Sequence, residues 1–385
     1  MSASPQAASA RPGAVTNPIK VMVVDDSVVV RGLVGRWIDE DPNLAVVAAH
    51  RNGRLAVDDI ERSDPDVVIL DIEMPELDGL AALPLMLKKK PNLVVIMAST
   101  LTRRNAETSL RAMSLGAAEY VPKPESNSGL TTSVEFRRDL VEKVKHLGQR
   151  AKSRGKGSPL PLAPGQATRQ KAGAAPAIAK PSFTIKPYSR VSPRVLVIGS
   201  STGGPQALAE VFKHIGPAMS RIPVLVTQHM PPTFTAILAE HVGKTAARPC
   251  AEGVDGEPVQ AGRIYIAKGG QHMLIADAAG GPVIKLSDAP PINFCKPAVD
   301  PLFESVAKVY GSATLAAVLT GMGNDGAGGA ETISAAGGSV IAQDEETSVV
   351  CGMPGATAKA GVCSDVLPLK EIGPKLARII GGGRP

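Results

Sequence analysis

The sequence has few cysteines, few aromatic residues and no long hydrophobic segment, and each shortage excludes a class of protein. The four cysteines (Cys250, Cys295, Cys351 and Cys363) lie far apart and form no CxxC pair. This argues against a zinc site or a disulfide framework and indicates a reducing, cytoplasmic environment. No apolar run approaches the roughly 20 residues that cross a bilayer, so we expect no direct membrane insertion. Aromatic residues make up 3% of the chain and hydrophobic residues 44%, so the cores should be mostly aliphatic.

Positive charge is concentrated in one segment. The chain has a net charge of +6, but residues 150–190 contain nine Lys and Arg and no Asp or Glu. The rest of the chain is therefore slightly acidic, which argues against a nucleic-acid partner. The same segment is rich in Pro, Gly and Ala and has no apolar periodicity, which is typical of a linker. We predict a linker over 146–190.

The linker separates an N-terminal module (19–145) from a C-terminal module (191–385). Residues 1–18 lack the apolar core of a signal peptide, and we interpret them as a disordered tail. Both modules alternate strand-like and helix-like segments, which predicts an α/β fold for each. We expect the chain to be a monomer.

In the N-terminal module, five apolar runs alternate with five amphipathic stretches. The runs are KVMVV, LAVVAA, DVVIL, LVVIMA and EYVPK, and the helix-like stretches are 27–40, 53–62, 80–90, 103–114 and 133–147. This order predicts a doubly wound (βα)5 parallel sheet, whose chemistry should lie at the carboxyl ends of the strands.

In the C-terminal module, the alternation is similar but less regular. The predicted strands are VLVIG, PVLVTQ, RIYIA, TLAAVLTG, VIKL and GSVIAQ, and the predicted helices are 204–215, 233–243, 299–310 and 326–336. We predict a second α/β domain with a parallel sheet.

Charged and polar residues stand at the strand ends of the N-terminal module. Asp25 and Asp26 follow the first predicted strand, Asp71 ends the third, Ser99 follows the fourth and Lys123 the fifth. Three carboxylates at one rim need a cation, and hard oxygen ligands suit Mg²⁺. Any one of these residues could be a helix cap or a surface residue, but the set is what phosphoryl transfer to a carboxylate requires.

These residues, in the segments VDDS, LDIEMPELDG and VPKP, resemble a response-regulator receiver domain. The resemblance implies that Asp71 accepts phosphate from a histidine kinase. It implies that Asp25 and Asp26 hold Mg²⁺ together with Asp71, and that Ser99 and Lys123 are the switch residues.

The C-terminal module contains a glycine-rich turn, GSSTGG, directly after its first strand. No Lys follows this turn as a P-loop would require, and the turn itself lacks GxGxxG spacing, so a phosphate-binding function of the turn is weakly supported. A serine nucleophile would need a base and an orienting acid from elsewhere. With a base and an acid from the segments named below, the chain order would be Ser…His…Asp, whereas the α/β-hydrolase superfamily has the order Ser…Asp…His, which argues against that superfamily.

Other strand ends supply candidates for the base and the acid. His229 ends the strand in PVLVTQHMPP, and Asp325 lies in the turn of TLAAVLTGMGNDG. His272 is the best alternative base and Asp300 the alternative acid. Each candidate could instead be a structural or turn residue, but Ser, His and Asp at strand ends can converge at one rim.

Together, GSSTGG, TQHMPP and LTGMGNDG resemble the catalytic domain of the bacterial chemotaxis protein-glutamate methylesterases. The resemblance places the nucleophile at Ser201, the base at His229 and the acid at Asp325, with Ser200 as a neighbouring alternative nucleophile. It implies hydrolysis of glutamate methyl esters on chemoreceptors, with release of methanol and without a metal. Some members of that family also deamidate receptor glutamines.

The helix predicted after the turn presents N–H groups that could stabilise an oxyanion. Our candidates for the oxyanion hole are the backbone amides near Thr202 and Met322. Two other functions remain open, a DNA-binding regulator and a scaffold with an inactive enzyme domain. The C-terminal module is too long and strand-rich for the first, and the complete Ser201, His229 and Asp325 set disfavours the second.

Overall fold

Runs of Val, Ile, Leu and Ala form the strands of two parallel sheets, one in each of two compact units into which the chain divides. The structure is a computed structural model that describes residues 17–100, 102–123, 134–153 and 183–384. The two units, called here the N-terminal and the C-terminal unit, are described separately.

The N-terminal unit contains a five-stranded parallel sheet in the order β2-β1-β3-β4-β5. The strands are β1 Ile19–Val24, β2 Leu44–His50, β3 Val67–Asp71, β4 Val94–Thr100 and β5 Glu119–Lys123. The helices described with them are α1 Val28–Asp39, α2 Gly53–Ser63, α3 Gly79–Lys89, α4 Arg103–Ser114 and α5 Val134–Ser153. The (βα)5 prediction is confirmed.

Short polar side chains start three of these helices. Ser27, Asn52 and Asp78 each accept a hydrogen bond from a backbone N–H in the first turn of α1, α2 and α3, respectively. Such caps satisfy amides that have no partner within the helix. Because the cap at Ser27 lies just beyond the end of β1, it fixes where the chain turns away from the rim of the sheet.

The C-terminal unit contains a seven-stranded parallel sheet in the order β14-β13-β12-β6-β7-β9-β8, with β10 and β11 paired as an antiparallel hairpin. The strands are β6 Val195–Ser200, β7 Val224–Gln228, β8 Cys250–Glu252, β9 Ile264–Ile266, β10 His272–Ala278, β11 Gly281–Ser287, β12 Thr314–Val318, β13 Ser339–Gln343 and β14 Asp365–Leu367. The helices are α6 Gly204–Ile215, α7 Phe234–Ala246, α8 Val299–Tyr310, α9 Ala327–Ala335, α10 Met353–Lys359 and α11 Leu369–Ile380.

The core of the C-terminal unit is aliphatic, as the composition predicts. Strands β6, β7, β12 and β13 are buried along their whole length. A sheet covered on both faces by helices needs such continuous apolar strands. Phe303 and Tyr265 are among the few large aromatic side chains in this core.

The described residues on either side of the predicted linker belong to ordered elements. Helix α5 continues to Ser153, and residues 183–190 run along the C-terminal unit, where the Lys186 amide donates to Cys363 O (2.8 Å) and the Tyr188 hydroxyl to Asp365 Oδ2 (2.6 Å). Residues 154–182 and nearly all of the predicted tail lie outside the described residues, so the domain boundaries stay predictions. None of the described helices combines the length and the apolar character needed to cross a bilayer.

Candidate functional sites

The carboxyl rim of the N-terminal sheet brings the predicted acidic residues to one lysine. The Nζ of Lys123, at the end of β5, lies 2.6 Å from Asp25 Oδ2 and 2.7 Å from Asp71 Oδ1. All three side chains are nearly inaccessible to solvent. The Asp71 Oδ1 also accepts a hydrogen bond from the Ile72 amide (2.8 Å). A buried carboxylate is thus held at the strand end by one cation and one amide.

The surroundings of Asp71 make its negative charge costly. Burial raises the pKa of Asp71 to about 6; Lys123 opposes this rise, and the neighbouring Asp25 carboxylate adds to it. The same two carboxylates raise the pKa of Lys123 in spite of its burial. Asp71 therefore gains from any further cation at this rim.

The acidic cluster has the donor set for a hard cation. One carboxylate oxygen from each of Asp25, Asp26 and Asp71 lies within 4.8 Å of the others. Asp26 is exposed, whereas the other two are buried, so the cluster opens to solvent on one side. Oxygen donors at a partly open rim fit Mg²⁺, which keeps several of its waters.

Ser99 lies on the same rim, near the end of β4. It is paired in register with Pro122 of β5, and its neighbour Ala98 is paired with Asp71 of β3. Ser99 is buried. All five residues predicted for this site therefore stand at the carboxyl ends of adjacent strands in one sheet.

In the C-terminal unit, the pairing of β6 with β7 places Ser201 beside His229. Ser200 is in register with Gln228 at the end of this parallel pair, so Ser201 and His229 are the next residues of the two strands. Paired strands lie about 4.8 Å apart. The His229 amide donates to Ser200 O (3.1 Å), which holds the two chains together at this point.

The two serines of the turn have different environments. Ser200 is fully buried, and its hydroxyl donates to Gln228 Oε1 (2.7 Å). The Gln228 Nε2 in turn donates to the carbonyls of Ser201 (2.9 Å) and His229 (3.2 Å). Ser201 is only half-buried. Ser200 is therefore part of the scaffold, whereas Ser201 is the serine that a substrate could reach.

The loop after β12 brings Asp325 to His229. The His229 Nε2 lies 2.7 Å from Asp325 Oδ2, and both side chains are nearly inaccessible to solvent. The same carboxylate accepts hydrogen bonds from the amides of Val299 (2.6 Å to Oδ2) and Asp300 (3.0 Å to Oδ1). Because Nε2 is engaged by Asp325, Nδ1 is the imidazole nitrogen that remains for a second partner.

The pKa of His229 is raised and that of Asp325 is lowered. Burial alone would lower the pKa of His229, but hydrogen bonds to Asp325 and Cys295 raise it well above its usual value. Burial alone would raise the pKa of Asp325, but His229 and the amides of Val299 and Asp300 lower it. The carboxylate thus stays ionised and stabilises a positive charge on the imidazole.

The two oxyanion-hole candidates lie on separate loops that border Ser201. Thr202 follows it directly, and its carbonyl accepts a hydrogen bond from the Thr320 hydroxyl (2.9 Å) of the loop after β12. Met322 follows Gly321, and a Cβ added at Gly321 would lie 2.8 Å from Ser201 Cβ. The absence of a side chain at Gly321 lets this loop pass close to the serine.

The alternative base and acid have structural partners instead. The buried His272 is held by the Ala298 amide at Nδ1 (3.1 Å) and lies 3.1 Å from Pro290 O at Nε2. Asp300 accepts hydrogen bonds from the amides of Gly326 and Gly329. Both side chains are engaged by backbone groups, whereas His229 and Asp325 contact each other, so the geometry favours His229 and Asp325 among the candidates.

Two residues near the site are not singled out by the sequence. Gln228 links both turns, as described above, and Cys295 hydrogen-bonds His229. Cys295 lies more than 60 residues after His229 in the sequence. It follows Asn293 and Phe294, which have positive φ angles, and precedes helix α8. Gln228 immediately precedes His229 in the sequence and therefore stands at the same strand end, but no sequence signal points to Cys295.

Comparisons with known proteins agree with this division into two sites. Residues 21–135 match the response regulator receiver domain family, and residues 196–376 match the CheB methylesterase family. The chain is 55% identical over 368 residues to the protein-glutamate methylesterase/protein-glutamine glutaminase of Rhodopseudomonas palustris strain BisB5, and 56% identical over 371 residues to that of strain HaA2, with 95% of each chain covered. It is also similar to the crystal structure of the Thermotoga maritima CheB methylesterase catalytic domain, with 41% identity, a TM-score of 0.47, and coverage of 49% of this chain and 100% of that chain. The chain therefore belongs to the family of CheB methylesterases that carry a response regulator receiver domain.

Proposed function

We propose that this protein hydrolyses glutamate methyl esters on chemoreceptors, releases methanol, and is regulated by phosphorylation of its receiver domain. The His229–Asp325 pair beside Ser201 is the observation that carries the proposal. The names of the relatives support the activity and add glutamine deamidation as a second reaction of the same site. We place the reaction in the cytoplasm, where the receptors would present their methylated helices.

Ser201 is the nucleophile in this proposal. Its hydroxyl attacks the ester carbonyl and passes its proton to His229, so that an acyl-enzyme forms after methanol leaves with that proton. Water then attacks the acyl group, with His229 again as base, and releases the glutamate side chain and the free serine. Asp325 orients the imidazole and stabilises its positive charge. The Thr202 and Met322 amides would stabilise the oxyanion, and the chemistry requires no metal.

The same site can act on an amide. If the substrate is a glutamine, ammonia leaves in place of methanol, and hydrolysis of the same acyl-enzyme gives glutamate. In this reaction the protonated His229 imidazole must donate its proton to the poorer leaving group.

Asp71 is the phosphoacceptor in the proposed regulation, and a histidine kinase is the phosphodonor. The cluster of Asp25, Asp26 and Asp71 would hold Mg²⁺, which supplies positive charge to the phosphoryl oxygens. Lys123 contacts both Asp25 and Asp71, and it is placed to exchange an aspartate oxygen for a phosphoryl oxygen. Ser99, one strand away, would respond to the phosphoryl group.

The test of the activity is methanol release from membranes that contain radiolabelled methylated receptors. We expect the full-length protein to release labelled methanol, and His229→Gln to lose nearly all of that release because the base is gone. His214→Gln is a matched control, since His214 lies on α6 with an exposed side chain beside Glu210. Equal activity in the wild type and His229→Gln would contradict the proposed mechanism, and a wild type without methanol release would contradict the proposed function.

A further inference from the structure

Asp300 is a second carboxylate next to the proposed triad, and the reaction described above does not use it. It lies in the first turn of α8, half-buried. Its amide donates to Asp325 Oδ1 (3.0 Å), so the two acids are direct neighbours.

Asp300 and Asp325 hold the starts of each other's helices. Asp325 directly precedes the turn into α9, yet its carboxylate accepts the first amides of α8, those of Val299 and Asp300. Asp300 belongs to α8, yet its Oδ1 accepts the amides of Gly326 (3.0 Å) and Gly329 (2.7 Å) at the start of α9. Each carboxylate thus satisfies donors that a helix leaves unpaired at its N-terminus.

One amide is shared by both acids. The Gly326 N–H lies 3.0 Å from Asp300 Oδ1 and 3.0 Å from Asp325 Oδ1. Gly326 is the residue after Asp325 and has a φ of 90°, a conformation that glycine adopts readily. Holding this amide therefore fixes the backbone immediately next to the triad acid.

The helix starts are also packed without spare room. A Cβ added at Gly329 would lie 2.5 Å from Phe303 Cβ, and one at Gly326 would lie 3.0 Å from Val299 Cγ1. The glycines let α8 and α9 approach closely enough for the reciprocal hydrogen bonds. A shift of α9 relative to α8 would move Asp325 with it.

The pKa values of the two carboxyl groups are shifted in opposite directions. Burial raises the pKa of Asp300 to about 6, with the Gly329 amide lowering it and the Asp325 charge raising it further. Asp325 is the acid whose pKa is lowered. Asp325 is therefore the more readily ionised of the two and the partner of His229, whereas Asp300 accepts hydrogen bonds from the backbone.

We propose that Asp300 is a positioning residue, which holds the Gly326 and Gly329 amides and so fixes Asp325 against the His229 imidazole. This inference rests on the proposed methylesterase function. It assigns to Asp300 a part in the reaction that acts through Asp325 and the start of α9.

The experiment compares Asp300→Ala and Asp300→Asn with the wild type in the full-length protein, by methanol release from labelled receptor membranes over a range of pH. Asp300→Ala removes both hydrogen bonds, and we expect kcat to fall at least tenfold with KM within twofold of the wild type. Asp300→Asn keeps an oxygen that can accept both amides, and we expect it to recover most of kcat. Asp255→Asn is the control, since Asp255 is an exposed carboxylate that also accepts a backbone amide, that of Leu286 (2.8 Å).

The dependence of the rate of methanol release on pH distinguishes a positioning role of Asp300 from a role limited to capping helix α9. Of the described residues, Asp325 and Cys295 are the titratable groups that raise the pKa of His229, and Asp300 adjoins Asp325. If Asp325 loses its fixed position, the pKa of His229 should fall, and the acid limb of the rate profile in Asp300→Ala should move to lower pH.

Three results would overturn the inference. They are a kcat within twofold of the wild type in Asp300→Ala, a loss of kcat with an unmoved acid limb, and an Asp300→Asn variant as impaired as Asp300→Ala. If Asp300→Ala does not fold, Asp300→Ser replaces it under the same criteria. The serine side chain is polar but one bond shorter than that of aspartate, so its hydroxyl does not occupy the position of the Asp300 Oδ1. A wild type without methanol release counts against the proposed function and not against the role of Asp300.

Discussion

Replacing Ser200 with alanine should destabilise the C-terminal unit but leave most of the hydrolytic activity. Replacing Ser201 with alanine should abolish most of that activity but change the stability little. The Ser200 hydroxyl is fully buried and donates to Gln228 Oε1, and Gln228 itself is 2% exposed. The alanine variant leaves a buried acceptor without this donor, which costs about 1–3 kcal/mol. For a unit of this size, each kcal/mol lowers Tm by about 2–4 °C.

The two serines should separate in activity as well. Gln228 still joins the carbonyls of Ser201 and His229 through its Nε2 in Ser200→Ala, so we expect methanol release to fall less than tenfold. Ser201→Ala removes the proposed nucleophile, and losses of about 10³-fold or more are typical for such a group. Because Ser201 is half-buried, its effect on stability should be small, about 1 kcal/mol or less.

Differential scanning calorimetry and the methanol-release assay, applied to both variants of the full-length protein, measure this separation. Ser200→Thr offers a control that keeps the hydroxyl while adding a methyl group to a filled site. The reasoning is refuted if Ser200→Ala is the inactive variant and Ser201→Ala retains turnover, since the nucleophile would then be the buried serine. An unchanged Tm in Ser200→Ala would show that the Gln228 hydrogen bond does not support the turn.

The remaining predictions concern both sites. Methanol release should be lost as pH falls through the raised pKa of His229, because only the neutral imidazole accepts a proton; a rate profile with its acid midpoint below 6.5 would contradict this. Phosphorylation by acetyl phosphate should fall below pH about 6 because Asp71 must be ionised, and Asp71→Asn should abolish the labelled phosphoryl group altogether. Asp26→Asn should weaken Mg²⁺ binding, measured by titration calorimetry, while leaving the Tm nearly unchanged because Asp26 is exposed. Gly204→Ala should lower both Tm and methanol release, since its Cβ would overlap Gln228 Oε1; wild-type values for both would show that Gln228 can move aside.

The sequence predicts the order of most elements because long apolar runs alternate with amphipathic stretches. Fully or almost fully buried strands such as β3 and β6 carry enough consecutive apolar side chains to be recognised, whereas the partly exposed strand β10 is not among the predicted ones. The three-residue edge strands β8 and β14 lack such a run, and they are held by pairing with β9 and β13. Edge strands this short are defined by their neighbours more than by their own composition.

The candidate residues follow from their places at strand ends, but their contacts depend on tertiary structure. The motif GSSTGG contains two adjacent serines, Ser200 and Ser201. Which of them faces the substrate depends on where β6 ends, and the motif does not specify this. The burial of Ser200 against Gln228 decides it in the structure. Cys295 and Asp300 belong to a segment about 25–30 residues before Asp325 in the sequence. Nothing in the local sequence pattern predicts that this segment contacts His229 and Asp325.

Both sites occupy a point where strand order changes direction. In the N-terminal sheet, β1 lies between β2 and β3, so the connections after β1 and β3 diverge, and Asp25 and Asp71 stand at the resulting gap. In the C-terminal sheet, β6 lies between β12 and β7, and the loops that carry Ser201 and Asp325 diverge in the same way. Such gaps at the carboxyl ends of parallel strands form crevices as a result of the strand order alone. The two folds therefore offer similar positions, and the chemistry is decided by the side chains placed there. Carboxylates beside one lysine favour a metal and a phosphoryl group, whereas a serine beside an imidazole–carboxylate pair favours acyl transfer.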